Sequence, residues 1–147
     1  MAISVTSIGT VADTVGTGAT LALAVPGGGV PAGVLIFVGI GEGNNSGFST
    51  GCSVTDDAGN VYTAIDHAVC NNTSDFGQTF YAKNVSALTG GQNITVTKQT
   101  SGDRLWISAI YATGVDPSAP LDTAVTANAV GFSTTPSVTS GTPTQGG

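Results

Sequence analysis

The stretch LWISAIYA, residues 105–112, alternates its side chains between two faces, and both faces are largely apolar. Trp106 and Ile110 share one of these faces, and Ile107 lies on the other. The run VLIFVGI at residues 34–40 has the same two-sided apolar character. Strands of this kind are typical of central positions in a sheet that is covered on both sides. We therefore predict that these two segments are central strands at the heart of the core.

Shorter runs that alternate apolar and polar residues surround these two segments, separated by clusters of Gly, Pro, Asn and Asp. In residues 20–25, for example, Leu21, Leu23 and Val25 share one face. No stretch of a dozen residues has apolar side chains at helical spacing. The pattern predicts an all-β fold, an antiparallel β-sandwich of jelly-roll or immunoglobulin-like type with about eight or nine short strands. The predicted strands are residues 3–7, 20–25, 34–40, 53–56, 61–66, 78–83, 93–98, 105–112 and 123–129.

The connections between these strands follow from turn chemistry. Glycine adopts positive φ and proline blocks ladder pairing, so residues 26–29 (PGGG) and 89–91 (TGG) are predicted turns. Residues 57–60 (DAGN) are predicted to form the tightest hairpin turn. Residues 41–51 and 71–77 are predicted to be long polar loops at the ends of the sandwich, where such folds carry their variable surface.

The chain is predicted to form one sandwich domain at residues 1–131 and an extended or flexible tail, FSTTPSVTSGTPTQGG, at residues 132–147. At 147 residues it is long enough to bury a core without metal or many disulfides. Charged residues make up only 8% of the chain, against roughly 25% in typical soluble domains. The surface is therefore expected to consist of Thr, Ser, Asn, Gln and Gly, which offer little acid, base or electrostatic chemistry.

Net charge and the length of the apolar runs exclude two classes of partner, nucleic acids and membranes. The net charge is −6 with three cationic side chains, so a nucleic-acid backbone would meet repulsion instead of releasing counterions. No apolar run approaches the roughly 20 residues that a membrane-spanning helix needs. We expect neither nucleic-acid binding nor membrane insertion.

The inventory of reactive side chains predicts a protein without catalytic activity. His67 is the only histidine, and no GxSxG-type elbow is present to position a serine nucleophile. Glu42 is the only glutamate and lies in a Gly-rich segment, so no carboxyl pair of the kind that glycosidases use stands out. A Cys52 nucleophile with His67 as its base has no further support in the sequence. No catalytic residue is predicted.

The acidic turn with Asp56, Asp57 and Asn60 is the candidate metal site. Its closely spaced oxygens are of the type that calcium prefers, and Asp116 or Asp122 would join them from elsewhere in the chain. The segment does not match the twelve-residue calcium loop, because no bidentate glutamate ends it. Turn formation by the same side chains is the competing interpretation, and we expect it in preference to calcium binding. No other cofactor is predicted.

Three aromatic side chains, Phe48, Phe76 and Trp106, are candidates for ligand binding. Phe48 and Phe76 lie in the predicted loops, where we expect exposed contacts. An exposed Trp106 beside Asp103 and Arg104 would form part of a sugar platform, because aromatic faces stack on pyranose rings and polar side chains bind hydroxyls. Core packing is the competing interpretation, and we expect it because Trp106 lies in the most hydrophobic predicted strand.

Cys52 and Cys70 either form a disulfide or remain two buried or half-buried thiols. The loop that a bond would close has a size for which a disulfide contributes roughly 3 kcal/mol. If residues 57–60 form a simple hairpin, Cys52 faces Ile65 and Cys70 lies beyond the matching end. A bond would then require a bulge or a folded-back loop. Two cysteines and one histidine are too few for a zinc site.

Four segments, taken in order, resemble a known class of domain: VTDDAGNVYTA, FYAKNV, ISAIYATGVDPSAPLDTA and STTPSVTSGTPTQGG. Together they resemble the Thr/Gly-rich β-sandwich modules of bacterial surface proteins and of decoration or fibre-type structural proteins in tailed bacteriophages. The shared motifs are turns and strands and contain no catalytic signature. In those modules the segment matching TPTQGG leads into a further apolar strand. Because the sequence stops at that segment, the resemblance implies an open sheet edge that invites pairing with another chain.

The leading hypothesis is a non-catalytic structural module of an extracellular or virion surface that self-associates through sheet edges or terminal segments. Its expected partners are other copies of itself or a surface or capsid scaffold. The alternative is a carbohydrate-binding or host-adhesion module that uses the two predicted end loops, with glycans as partners. A third interpretation is that the chain is one repeat of a longer surface protein. Assembly predicts oligomers or filaments, whereas adhesion predicts a monomer that binds glycans.

Overall fold

A computed structural model of the protein describes residues 2–16, 18–43, 52–70, 75–98 and 104–120, with the backbone alone at 66–70 and 75–76. Within these ranges it contains eight β-strands and no α-helix. The predicted strand at 123–129 and the predicted tail at 132–147 lie outside the described residues. The strands are β1 (Ser4–Asp13), β2 (Thr20–Ala24), β3 (Leu35–Gly43), β4 (Ser53–Asp56), β5 (Thr63–Cys70), β6 (Asp75–Ala82), β7 (Asn93–Thr97) and β8 (Arg104–Thr113).

The strands form two antiparallel sheets that enclose a shared core. One sheet has five strands in the order β1-β8-β3-β6-β5, and the other has three in the order β2-β7-β4. The five-stranded sheet contains four strand pairings and the three-stranded sheet contains two, and all six are antiparallel. The predicted all-β, antiparallel fold is confirmed, and the two-sheet arrangement is that of a β-sandwich. Its jelly-roll or immunoglobulin-like type stays a prediction.

The core is built on β3 and β8, which lie side by side inside the five-stranded sheet. Alternate residues of β3 point inwards, so that Ile36, Val38 and Ile40 are each at most 5% exposed. Ala109 and Ile107 of β8 stand opposite Val38 and Ile40 and are also buried. Each buried isoleucine or valine contributes roughly 1.5–3 kcal/mol relative to an exposed one. The prediction that these two segments are central strands is confirmed.

The three-stranded sheet covers this inner face with a second set of aliphatic side chains. Leu23 of β2 pairs in register with Ile94 of β7, and Val54 of β4 pairs with Val96 of β7. All four are buried in the same core cluster as the β3 residues. The residues between them on these strands are Thr, Ser, Ala and Asn, and most are exposed. This sheet therefore shows the simple inside–outside alternation that the sequence of residues 20–25 predicts.

Four strands extend at least three residues further than their sequence patterns predict. β1 continues to Asp13, β3 reaches Gly43, β5 reaches Cys70 and β6 begins at Asp75. The predicted loops at residues 41–51 and 71–77 therefore overlap the strands β3 and β6. Ladder hydrogen bonds keep residues extended even where their own β propensity is low, and β3 has a partner strand on both sides. The loop predictions were too long because propensity alone defined them.

The predicted hairpin at residues 57–60 is instead a crossing between the two sheets. β4 pairs with β7, whereas β5 pairs with β6. The chain does reverse here, since the N–H of Gly59 donates to the carbonyl of Asp56 at 3.2 Å. Turn chemistry is local and predicts the reversal, but tertiary packing sets the partner of each flanking strand. The register in which Cys52 faces Ile65 therefore does not form.

Two glycine-rich turns meet backbone to backbone beside the core. Val30 and Leu88 form an isolated antiparallel bridge, in which the nitrogen of each residue lies 2.7 or 3.0 Å from the carbonyl oxygen of the other. Gly29 precedes this bridge with φ of +69°, and a Cβ there would lie 2.6 Å from the carbonyl oxygen of Leu88. Both the backbone conformation and the close approach require glycine at this position. A Cβ on Gly28 would meet no atom within 4 Å.

The substitution Gly29→Ala should destabilise the protein by about 2 kcal/mol or more, because it combines a left-handed backbone with steric overlap. Gly28→Ala is the matched control and should change the free energy of unfolding by about 0.5 kcal/mol at most. Urea denaturation of both variants measures the difference. Equal midpoints for the two variants would contradict the close approach of the turns.

Candidate functional site

The single tryptophan of the chain lies on the outer face of the five-stranded sheet. Trp106 of β8 stands between Ala12 of β1 and Gly41 of β3, and it is 43% exposed. The prediction that Trp106 packs in the core is therefore wrong. Leu105 and Ile107 occupy the inward positions of β8, and a strand that is apolar on both faces does not reveal which face turns outwards. Exposure is what the sugar-platform interpretation requires.

The surface beside Trp106 has no side chains that project above the backbone, because glycines occupy it. Gly41 pairs with Gly77 of β6, and Gly39 pairs with Thr79 of β6. A Cβ on Gly41 would lie 3.8 Å from Cε3 of Trp106, so the indole borders the open space above this glycine. Exposed hydroxyl side chains of β1, β6 and β8 surround these glycines. The Trp106 platform consists of Thr10, Gly39, Gly41, Gly77, Thr79, Trp106 and Ser108.

The other end of the same outer face is apolar and largely covered. Phe37 stands between Tyr81 of β6 and Ile110 of β8, and all three are partly buried. In the next row, Leu35 and Ala112 are 2% and 4% exposed. The prediction that the central strands are covered on both faces therefore holds at this end of the sheet and fails at Trp106.

β1 forms one edge of the five-stranded sheet and pairs only with β8 among the described strands. Ile3 directly precedes β1 and Val5 is its second residue, and they are 65% and 59% exposed. No charged side chain occurs before Asp13, and a β-bulge shifts the register between Ser7 and Gly9. The start of β1 is thus a regular, uncharged and partly apolar edge. The sequence alone does not reveal this edge, because an edge strand is defined by the partners that it lacks.

The predicted calcium site is a hydrogen-bonded turn. Oδ1 of Asp56 accepts from the backbone N–H groups of Ala58 and Asn60, both at 3.0 Å. Oδ2 of Asp56 accepts from Nδ2 of Asn60 and from the hydroxyl of Tyr62, both at 2.9 Å. A calcium ion at Asp56 would have to displace these protein donors. Calcium binding at this turn stays an untested alternative to the turn formation that the sequence favours.

The same turn connects two other parts of the chain. Oδ2 of Asp57 accepts from the N–H of Asn93 at 2.8 Å, at the start of β7. Oδ1 of Asn60 accepts from the N–H of Ser86 at 2.7 Å, and its Nδ2 donates to the Ser86 carbonyl at 3.1 Å. In the part of the chain that the structure describes, no group of three or more His, Cys, Asp or Glu side chains is placed to hold a metal ion. The contacts of all three candidate residues support the local structure.

Tyr62 packs against the core and closes the Asp56 turn. Burial raises the pKa of its phenol far above the ordinary value, because a phenolate would form out of water. The hydrogen bond to Asp56 and the negative charge of that carboxylate raise the pKa further. The phenol therefore remains a hydrogen-bond donor to Asp56 over the neutral pH range.

Buried polar side chains lie together at the end of the sandwich nearest Trp106. Nζ of Lys98 donates to Oδ2 of Asp13 at 2.7 Å, and the Lys98 side chain is completely buried. Oε2 of Glu42 accepts from Sγ of Cys52 at 3.2 Å, and Oε1 of Gln78 accepts from the Cys52 N–H at 3.1 Å. The ion pair ties the end of β1 to the residue after β7 and so connects the two sheets.

Glu42 faces the interior from β3 and does not lie in a Gly-rich loop as predicted. A signal for this was present in residues 38–43, VGIGEG, where Glu42 shares the face of Val38 and Ile40 and the glycines share the other face. The same alternation places Gly39 and Gly41 on the outer face.

The other predicted site residues lie partly outside the described structure. Cys52 is buried with its Sγ 3.2 Å from Oε2 of Glu42, and the Cys70 side chain is not described, so the choice between a disulfide and two thiols stays open. Phe48 lies outside the described residues. Phe76 belongs to β6, but its side chain is not described. The ligand contacts predicted for these two phenylalanines therefore stay predictions.

The substitution Asp56→Ala should lower the free energy of unfolding by about 3 kcal/mol, because it removes the acceptor of four hydrogen bonds, two of them from backbone groups. Lys83→Ala is the control, since Nζ of Lys83 donates one exposed hydrogen bond to the carbonyl of Ser118, and it should cost about 0.5 kcal/mol. Urea denaturation of each variant, with CaCl2 or with EDTA, measures both effects. We expect equal stability of the unsubstituted chain in the two solutions, and a large gain with CaCl2 would establish the calcium site.

Tyr62 should make the stability fall at alkaline pH. Its stabilising effect is fully present below about pH 10, the ordinary pKa of tyrosine, and is lost above that value because the unfolded chain releases a proton that the folded chain keeps. Urea denaturation between pH 8 and pH 11 should therefore show a steeper decline for the unsubstituted chain than for Tyr62→Phe. Parallel declines would show that Tyr62 is not the group responsible.

No protein-family model, curated protein or solved structure matches the chain. No helix within the described ranges is long and apolar enough to cross a membrane. The function is therefore inferred from the surfaces of the protein itself, and within the described residues the β1 edge and the Trp106 platform are two surfaces that lie outside the core.

Proposed function

We propose that the chain is a non-catalytic structural module of an extracellular or virion surface assembly, in which copies join through the edge strand β1. The observation that carries this proposal is the exposure of Ile3 and Val5 on an uncharged sheet edge. Paired edges would bury these side chains and satisfy backbone groups that water otherwise satisfies.

The start of β1 has few of the features that protect sheet edges. An edge strand presents unpaired N–H and C=O groups, and proteins block such edges with lysine, proline, bulges or very short strands. β1 has ten residues, and neither lysine nor proline occurs among them. Its bulge between Ser7 and Gly9 leaves the segment before it regular.

The other edge strands are less suited to pairing. β4 has only four residues, and β5 carries a bulge between Ala64 and Asp66 as well as the ionisable residues Asp66 and His67. β2 has five residues, and its Leu23 lies beside Gly9 in the second half of β1, so this contact leaves the first half of β1 accessible. The first half of β1 is therefore the edge that we assign to assembly, and a second copy of the chain is the partner that we propose.

Composition and resemblance support the proposed location and the proposed lack of catalysis. A surface of hydroxyl and amide groups with 8% charged residues has few groups for chemistry, and no reactive pair stands out in the sequence. The resemblance to modules of bacterial surface and phage structural proteins supports an extracellular or virion setting. Assembly on a capsid or surface scaffold would use the same edge chemistry.

The substitution Val5→Lys should abolish self-association, because a lysine on an edge strand opposes pairing and Val5 is exposed in the single chain. Val61→Lys is the matched control, since Val61 is 82% exposed but lies in the connection between β4 and β5. Light scattering over a range of concentrations and negative-stain electron microscopy measure the assembly. We expect dimers for the unsubstituted chain and for Val61→Lys, because one edge that pairs with its own copy closes the assembly, and monomers for Val5→Lys.

Two results would contradict the proposal. One is a strictly monomeric unsubstituted chain at high concentration. The other is assembly that survives Val5→Lys unchanged.

A further inference from the structure

We propose that the Trp106 platform binds the pyranose ring of a neutral glycan. This inference goes beyond self-association and does not depend on it, because the platform and the start of β1 lie in different rows of the sheet. It also differs from glycan binding by the end loops, since it uses the face of the central strands.

The exposed indole is the first observation. Trp106 is 43% exposed in the middle of a sheet, between Ala12 and Gly41, where no neighbour in its row is large. A tryptophan is a large apolar surface that is usually mostly buried in a monomeric domain. Aromatic rings exposed beside a few polar groups are typical components of small-molecule sites.

The second observation is that the fold does not require glycine at the positions beside Trp106. Gly39, Gly41 and Gly77 have no φ in the left-handed region, and a Cβ on each would be 3.8 Å or more from its nearest neighbour. Neither backbone strain nor close backbone packing therefore requires glycine. Glycine inside a strand costs stability relative to alanine and often marks a place where a ligand approaches the backbone.

Contact with the indole does not account for all three glycines. Aromatic side chains do cover glycines in sheets, and Trp106 borders the space above Gly41 in this way. For Gly39 and Gly77, the nearest atoms to a Cβ are instead backbone oxygens of Ser108 and Ile40. Among the described residues, no side-chain atom therefore lies within 4 Å of a Cβ at these two positions.

The size of the open floor fits one sugar ring. Neighbouring strands lie about 4.8 Å apart, and alternate residues along a strand lie roughly 7 Å apart. The glycines of β3 and β6 thus mark out an area of about 5 by 7 Å with the indole at one side. A six-membered ring resting there would place one apolar face against Trp106 or the glycines.

The chemistry of the rim indicates a neutral, hydroxyl-rich ligand. Thr10, Thr79 and Ser108 expose hydroxyl groups that both donate and accept hydrogen bonds, as sugar hydroxyls do. None of the seven platform residues is ionisable. Exposed Arg104 lies two residues before the tryptophan on the same face of β8, and Asp66 of β5 pairs with Thr79, so the bordering residues carry opposite charges. The net charge of −6 disfavours an acidic glycan. A protein partner would require a larger apolar patch than one indole among hydroxyls and glycines.

The test uses the full chain with Val5→Lys, so that assembly does not interfere with binding. Cellohexaose, chitohexaose, maltohexaose and mannohexaose are the neutral probes, and hyaluronan hexasaccharide is the acidic one. Because Trp106 is the only tryptophan, its fluorescence reports directly on the platform, and titration calorimetry gives the affinity. We expect at least one neutral probe to change the fluorescence saturably at millimolar concentrations or below.

Three variants separate binding from folding. Trp106→Ala should weaken binding of that probe at least ten-fold in calorimetry. Gly39→Ala combined with Gly77→Ala should also weaken it at least ten-fold by raising the floor, while the melting temperature stays equal or increases. Gly28→Ala, outside the platform, should leave the affinity unchanged.

Four results would overturn the proposal. The first is that no neutral probe binds saturably, and the second is that only the acidic probe binds. The third is that the affinity is unchanged in Trp106→Ala. The fourth is that the Val5→Lys chain still self-associates and that adding Trp106→Ala abolishes this association. The last result would assign the platform to a second copy of the chain.

Discussion

In the middle of the five-stranded sheet, Val38 stands opposite Ala109 and Ile40 opposite Ile107, so that β3 and β8 present one continuous aliphatic surface to the interior. β1 pairs with the far side of β8, and β6 pairs with the far side of β3. A shift of this ladder by one residue would turn every inward side chain of a strand outwards. The position of Trp106 on the outer face is therefore a direct consequence of the packing of Ile107 and Leu105 inside.

The two surfaces to which we assign functions occupy different parts of the same sheet. Val5 lies in the row of Ala112 and Leu35, whereas Trp106 lies in the row of Ala12 and Gly41, at the other end of the strands. Edge pairing extends a sheet sideways and leaves its faces open. Copies joined through the start of β1 would therefore display their Trp106 platforms to solvent, and an assembly of such modules would present a repeated glycan-binding surface.

The candidate sites were predicted unevenly, and the reason is physical. The turn at Asp56 and Asn60 could be predicted because a side chain that bonds to the backbone two and four residues ahead depends only on local sequence. The exposure of Trp106 could not be predicted, because both faces of its strand are apolar. The buried position of Glu42 was indicated by its alternation with Ile40, but the glycines around it suggested a loop.

By itself, the amino-acid sequence determined that this protein is made of antiparallel strands, where most of those strands lie, and where the chain reverses, because period-two alternation and turn chemistry act over a few residues. Only the tertiary structure decided that β4 pairs with β7 and β5 with β6, that β1 is an edge, and that Trp106 faces outwards. Pairing and facing depend on contacts between segments far apart in the chain. Those contacts are selected by the burial of the whole core, which no single segment encodes.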